Sequence, residues 1–149
     1  MKIALGCDHG GYAMKEDIKK QLEGLGHEVK DCGTYSTDSC DYPIFGEAAA
    51  RKVQSGECER GILCCGTGIG ISIAANKVKG AYAAVVNNVY QAQRAQLSNN
   101  ANIITIGAQV TGIEVAKMMV KEYLSCTFDP NSRSAPKIER IYEYEKANS

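Results

Sequence analysis

The chain carries no surplus charge: 17 lysines and arginines stand against 17 aspartates and glutamates. Without an excess of either sign there is nothing to recruit nucleic acid or an anionic membrane, so a small molecule is the expected partner. Long apolar runs are also missing. The opening MKIALGCDHGG returns to charge and glycine within a few positions, too soon for an export signal or a membrane span, and the cytoplasm is the expected compartment. Disulfide and zinc frameworks lack their spacing, because the seven cysteines, at 7, 32, 40, 58, 64, 65 and 126, are odd in number and include no C-x-x-C pair. Most of them read as small buried hydrophobes. No repeat or low-complexity tract divides the chain, and 149 residues, 44% of them hydrophobic, suffice for a single domain over 1–149.

What is present is an alternation of short apolar runs and amphipathic stretches. KIALG at 2–6 reads as a strand, and Met14, Ile18, Leu22 and Leu25 then recur at helical spacing up to Gly26. HEVKD at 27–31 reads as an edge strand. The polar stretch CGTYSTDSCDYP is a loop ending at Pro43, which suits the first turn of a helix marked by Phe45, Ala48, Ala49 and Val53. GILCC at 61–65 is the continuous apolar run of a buried parallel strand, followed by the turn GTGIG and a helix over 71–78. Strand-like AYAAVV (81–86), helical 89–97 and strand-like IITIG (103–107) come next. Ile113, Ala116, Met119, Val120, Tyr123 and Leu124 form a broad helical stripe, and the tail closes in a charged, tyrosine-bearing helix whose Ile138, Ile141 and Tyr142 suit contact with a neighbouring subunit. This rhythm predicts a Rossmann-like α/β fold, a doubly wound five-stranded parallel sheet in three αβα layers.

In such sheets ligands bind beyond the carboxyl ends of the strands. Two segments fall there: Cys7-Asp8-His9-Gly10-Gly11 after the first strand, and Cys65-Gly66-Thr67-Gly68-Ile69-Gly70 after the third. The glycines of the second let backbone N–H groups crowd toward an anion at a helix amino end, and an enediolate oxygen there would meet an oxyanion hole. Cys65, at the mouth of that helix, has a thiolate favoured by the helix dipole and is a candidate general base. A tight packing turn is an equal reading of the glycines alone. The Walker pattern, G-x-G-x-x-G and G-x-S-x-G are absent, and position 71 is Ile where a cysteine phosphatase needs arginine. Asp8 and His9 offer a carboxylate and an imidazole, though Asp8 also suits a helix N-cap. Arg133 and Lys137, four apart near a turn, suit an anionic group or a solvated surface pair.

The motifs GCDHGG (6–11), DCGTYS and DYP (31–43), ILCCGTGIGISIAANKVKG (62–80) and NNANIITIGAQ (99–109) resemble, in order and over nearly the whole chain, the ribose-5-phosphate isomerase B and galactose-6-phosphate isomerase family. The resemblance implies a dimer, often paired into tetramers, with active sites at the subunit interface and no metal or organic cofactor. It implies ribose 5-phosphate and ribulose 5-phosphate as substrates, interconverted in the pentose phosphate pathway through a cis-enediolate. Cys65 matches the base, and Gly66, Gly68, Ile69 and Gly70 belong to the loop whose amides hold the enediolate. Thr67 matches a hydroxyl near the sugar oxygens, Asp8 and His9 match contacts to sugar and phosphate, and Tyr42 matches an aromatic wall. Asn99 matches an amide on the enediolate, reaching a neighbour's site, and Arg133 matches a phosphate ligand.

Three positions depart from the pattern. Ser98 stands where many members carry a histidine for ring opening, which leaves that step to Asp8, Thr67, His9 or water, or to open-chain substrate. Gln109 and Lys137 replace arginines, and fewer guanidinium contacts loosen phosphate specificity enough to admit allose and psicose, free or as 6-phosphates. The rival readings are a galactose-6-phosphate isomerase subunit that needs a second kind of chain, and a catalytically idle phosphate-binding module. Retained Cys65, Thr67 and Asn99 weigh against the idle module.

Overall fold

The computed structural model describes residues 1–149. Five strands, β1 (Lys2–Cys7), β2 (Glu28–Asp31), β3 (Arg60–Cys65), β4 (Ala83–Val85) and β5 (Ile103–Gly107), form one parallel sheet in the order β2-β1-β3-β5-β4. Helices α1 (Tyr12–Gly24), α2 (Tyr42–Gln54), α3 (Ile69–Asn76), α4 (Val89–Leu97), α5 (Ile113–Ser125) and α6 (Ala135–Ala147) alternate with and follow them.

The central strands are mostly apolar because both of their faces are covered. Ile3, Leu5, Cys7, Ile62, Cys64, Ile104 and Ile106 pack under α1, α4 and α5. The alternate residues Ala4, Leu63, Cys65 and Ile103 pack under α2 and α3. This two-residue period divides the core into the two outer layers of an αβα sandwich. The helix faces also follow the chain's direction across the sheet. The steps from β1 to β2 and from β4 to β5 run one way with α1 and α4 on one face. The steps from β2 to β3 and from β3 to β4 run the other way with α2 and α3 opposite. A constant crossover hand requires that pairing. The direction reverses between β1 and β3, so the ligand crevice of this fold opens beyond their carboxyl ends.

Element boundaries shift for local reasons. α3 starts at Ile69 and not at 71, because Gly68, at φ 79°, caps it in the left-handed region. β4 is three residues long, shorter than 81–86, since the Tyr82 amide donates to the Asn102 side chain and not to a ladder partner. The Ala83 backbone faces the open edge, where the Asn76 side chain accepts from its N–H and donates to its carbonyl, at 2.8 and 2.9 Å. α4 spans Val89–Leu97 as expected, with Asn88 capping the Gln91 amide at 2.8 Å. Pro43 lies in the first turn of α2.

α6 lies at the opposite, amino end of the sheet. Its Tyr142 ring is 5.1 Å from Tyr82 and its hydroxyl accepts from Asn100, while Glu145 accepts from the Gly80 amide.

Candidate active site

Three loops meet at the carboxyl ends of β1, β3 and β5. The Ala108 and Gln109 amides donate to the Cys65 and Gly66 carbonyls at 2.9 Å each, and the Asp8 amide donates to the Cys64 carbonyl at 3.3 Å. Glycine permits this closeness. A methyl group on Gly11 would lie 2.6 Å from the Cys64 carbonyl oxygen, and one on Gly107 would lie 2.6 Å from the Thr67 carbonyl. On Gly70 it would overlap the Tyr42 ring, so Tyr42 packs directly on the first turn of α3.

Three cysteines reach this end, and burial separates them. Cys7 and Cys64 are wholly buried, whereas Cys65 keeps 4% of its surface. Burial pushes the Cys7 thiol up to about 12 and raises the Cys64 thiol further, with the neighbouring Cys7 and Cys65 adding to the rise. Both stay protonated. The Cys65 sulfur instead accepts the Gly68 N–H at 3.1 Å, at the amino end of α3. Beside it the Gly66 and Thr67 amides donate to nothing in the chain, two backbone donors free for an anionic oxygen. The Thr67 hydroxyl accepts from the Ile69 amide at 3.3 Å and keeps its own proton to donate.

Asp8 is the N-cap that its position suggested, with a carboxylate oxygen to spare. One oxygen accepts the Gly11 amide at 3.1 Å, and the other has no partner in the chain. His9 is exposed, and its Nδ1 accepts the Cys40 amide at 3.2 Å, with the Cys40 sulfur 3.8 Å away. With Nδ1 occupied as an acceptor, the neutral ring carries its proton on Nε2 and presents a donor. The Gln109 carboxamide lies over Gly66, its Oε1 3.4 Å from where a β-carbon would be. Nowhere in the chain do three His, Cys, Asp or Glu side chains converge to hold a metal ion.

Asp8, His9, Tyr42, Cys65, Gly66, Thr67, Gly68, Ile69, Gly70 and Gln109 are thus gathered at one end. Ser98, Asn99, Arg133 and Lys137 are not with them. Ser98 caps α4, where its hydroxyl accepts from Arg94 at 2.7 Å, and Asn99 is exposed in the loop before β5. Cys65 pairs with Gly107 and Gly61 with Ile103. The loop before β5 is therefore at least four strand residues, about 13 Å, from the thiol. Arg133 and Lys137, exposed and without ion pairs, flank the start of α6 at the same amino end.

Sequence reasoning passed over two contributors. Cys40 serves through its backbone, which no side-chain pattern reveals. Lys15 is buried among Met14, Ile18 and Leu22 on the core face of α1, and its signal was its spacing of three and seven from Ile18 and Leu22.

A family model described as Ribose/Galactose Isomerase matches residues 3–141. The chain belongs to the ribose/galactose isomerase family. A solved ribose-5-phosphate isomerase B from Clostridium thermocellum superposes with a TM-score of 0.96 at 48% identity, covering all of both chains. D-erythrulose-4-phosphate isomerase 2 of Mycolicibacterium smegmatis is 45% identical over 99% of each chain. Ribose-5-phosphate isomerase B of Escherichia coli is 42% identical over 97% of each. This family member is accordingly an isomerase with the Rossmann-like fold that its sequence implied.

Proposed function

We propose that the protein interconverts D-ribose 5-phosphate and D-ribulose 5-phosphate in the cytoplasm, with Cys65 as the base. The observation that carries the reading is the pairing of a strand-end sulfur that accepts the Gly68 amide at the amino end of α3 with two unpartnered amides, those of Gly66 and Thr67. The thiolate takes the proton from C2 of the open-chain aldose, and the C2–H electrons form the C1–C2 double bond as the C1 carbonyl oxygen becomes anionic. The two amides stabilise that oxygen as an oxyanion hole does. A proton passes from the C2 hydroxyl to the C1 oxygen, which leaves the anion on the C2 oxygen; that oxygen re-forms its carbonyl as C1 takes the proton from the Cys65 thiol, and the thiolate is restored. The Thr67 hydroxyl and the free Asp8 oxygen serve the sugar hydroxyls and ring opening, His9 Nε2–H serves the phosphate, and Tyr42 walls the sugar.

The same reading requires a second copy. None of the carboxyl-end loops, 8–11, 32–41, 65–70, 86–88 and 107–112, contains lysine or arginine. A phosphate dianion needs cations, and Arg133 and Lys137 of a neighbour supply them, together with its Ser98 and Asn99. A homodimer, with α6 against the other subunit and dimers pairing into tetramers, meets that need. The small cationic complement, with Gln109 neutral, also supports turnover of allose and psicose or their 6-phosphates. The relatives act on different sugars at nearly equal identity, so the isomerisation is the shared element and the sugar is set locally.

Isomerisation in deuterated water tests the reading. Parent protein, purified alone, should convert ribose 5-phosphate with solvent deuterium entering at the transferred position, and Cys65→Ala should do neither while keeping its fold. Activity only after a second kind of chain is added would favour a heteromeric galactose-6-phosphate isomerase. Normal turnover by Cys65→Ala would remove the base.

A further inference from the structure

The loop that carries Cys40 and Tyr42 to the site is held from below by a buried cation. Lys15 is wholly buried, and its Nζ donates to both Asp31 oxygens, at 2.9 and 3.0 Å, and to the Thr34 carbonyl at 2.6 Å. Those three bonds exhaust its protons. The Tyr12 and Tyr35 rings lie over it at 5.3 and 5.2 Å, and Lys19 touches Asp31 at 3.4 Å from the exposed side. Asp31 also accepts the Gly33 amide at 2.9 Å, and residues 32–34 continue the sheet: Cys32 donates to Leu5, Cys7 donates to Gly33 and Thr34 donates to Cys7. From Thr34 the chain crosses the carboxyl end of β1, delivers the Cys40 amide to His9 Nδ1 and enters α2 with Tyr42 on Gly70.

A buried ion pair is poor value as a source of stability, since an apolar pair of the same volume does as well. Three directed hydrogen bonds nevertheless fix a path, which apolar contacts do not. The catalytic thiol does not depend on this path. Cys65 to Gly68 hang on β3, α3 and the amides of Ala108 and Gln109.

We propose that Lys15 is a positioning residue for substrate binding: anchored on Asp31, it fixes the loop that sets the His9 tautomer and places Tyr42, and so governs KM more than kcat. This rests on the isomerase reading above. The test is Lys15→Met/Asp31→Asn, which removes both charges and keeps an acceptor for the Gly33 amide. With ribose 5-phosphate, KM should rise about tenfold while kcat stays within about threefold. The chain has two histidines, so imidazole nitrogen NMR resolves each. His9 should move from the Nε2–H pattern toward a tautomer mixture while His27 stays put. Tyr35→Ala, at a position 67% exposed, carries the same test without opening the core. It removes the ring over Nζ and the hydroxyl bond to the Asp31 carbonyl, and should shift both readouts the same way by a smaller amount. Unchanged KM and unchanged His9 signals in either folded variant would overturn the proposal, as would a fall in kcat at constant KM. Parent protein inert toward ribose 5-phosphate would overturn the isomerase reading instead, and the His9 signals alone would then decide for or against the clamp.

Discussion

The two ends of the sheet differ in what they hold and in how they hold it. At the carboxyl end, glycine backbones, a thiol, a carboxylate and an imidazole crowd together, and acidic Asp8, Asp38 and Asp41 are matched by no lysine or arginine in the loops. At the amino end, Ser98, Asn99, Arg133 and Lys137 lie on loops and a helix start tied down by buried side chains. The Gln96 carboxamide donates to the Ala101 carbonyl at 3.0 Å and accepts the Phe128 amide at 3.0 Å, joining the segment that bears Asn99 to the one that leads to Arg133. The Tyr123 hydroxyl donates to the same Ala101 carbonyl, and Arg60 donates to the Tyr123 and Cys126 carbonyls. One end thus offers chemistry without cations, and the other offers cations and amides without a nucleophile. On the proposed reading each is half of a site, and the halves meet only between copies.

The largest effect separates neighbours within one end. Cys65→Ala should lower kcat by about three orders of magnitude, as loss of a positioned base does, while Cys64→Ala, which only opens a buried gap, should leave turnover near parent. A steady-state assay of the two side by side decides it. Next, Arg133→Ala should raise KM for ribose 5-phosphate roughly 10–100-fold, the equivalent of a charge-assisted bond of about 1.5–3 kcal/mol. Free allose should be almost unaffected, and equal losses on both sugars would blur the contrast between the ends. Gln96→Leu should lower stability by about 1–3 kcal/mol by leaving the half-buried Phe128 amide and the Ala101 carbonyl without their partner in the Gln96 side chain. For a chain of this size that is a fall in Tm of roughly 2–10 °C by calorimetry.

The smallest effect concerns pH. Burial alone would raise the Asp31 carboxyl, but the bonds from Lys15 and the Gly33 amide outweigh it and hold it below its usual 3.8. Burial alone would lower Lys15, but Asp31 outweighs that and holds it above 10.5. A depressed carboxylate stabilises the fold above its unfolded value and loses that contribution as pH falls through its folded value. A raised lysine stabilises below its unfolded value and loses that contribution as pH rises through its folded one. The clamp's contribution should therefore be flat between pH 3.8 and 10.5 and fall away outside that window. Urea titrations of the parent against Lys15→Met/Asp31→Asn should differ by a pH-independent amount inside it.

Four of the five strands were legible as apolar runs, the central three because both of their faces are covered, while β2, with Val29 its one apolar residue, was legible as an edge strand. The order of the last two was not, since nothing in AYAAVV or IITIG names its partner. Only the fuller burial of Ile103–Gly107 against the half-buried Ala83–Val85 marks which is internal and which is the edge. The glycine loop and Asp8 were readable because their chemistry is local in sequence. The His9–Cys40 contact spans 31 residues and uses a backbone group, so it left no trace. Lys15 hid because a helical lysine reads as solvent-facing, and its partner comes 16 residues later. The separation of Asn99 and Arg133 from Cys65 follows from topology alone, as helix-to-strand and strand-to-helix loops fall at opposite ends of a parallel sheet.

The claim that two half-sites combine is tested most directly by mixing inactive proteins. Cys65→Ala and Asn99→Ala should each be nearly inert as homodimers. After subunit exchange, half the dimers are mixed, and each mixed dimer rebuilds one intact site from parent Cys65 of one chain and parent Asn99 of the other. The account predicts recovery of up to about a quarter of parental activity. A mixture no more active than the sum of its components, with exchange verified by mass spectrometry, would contradict it.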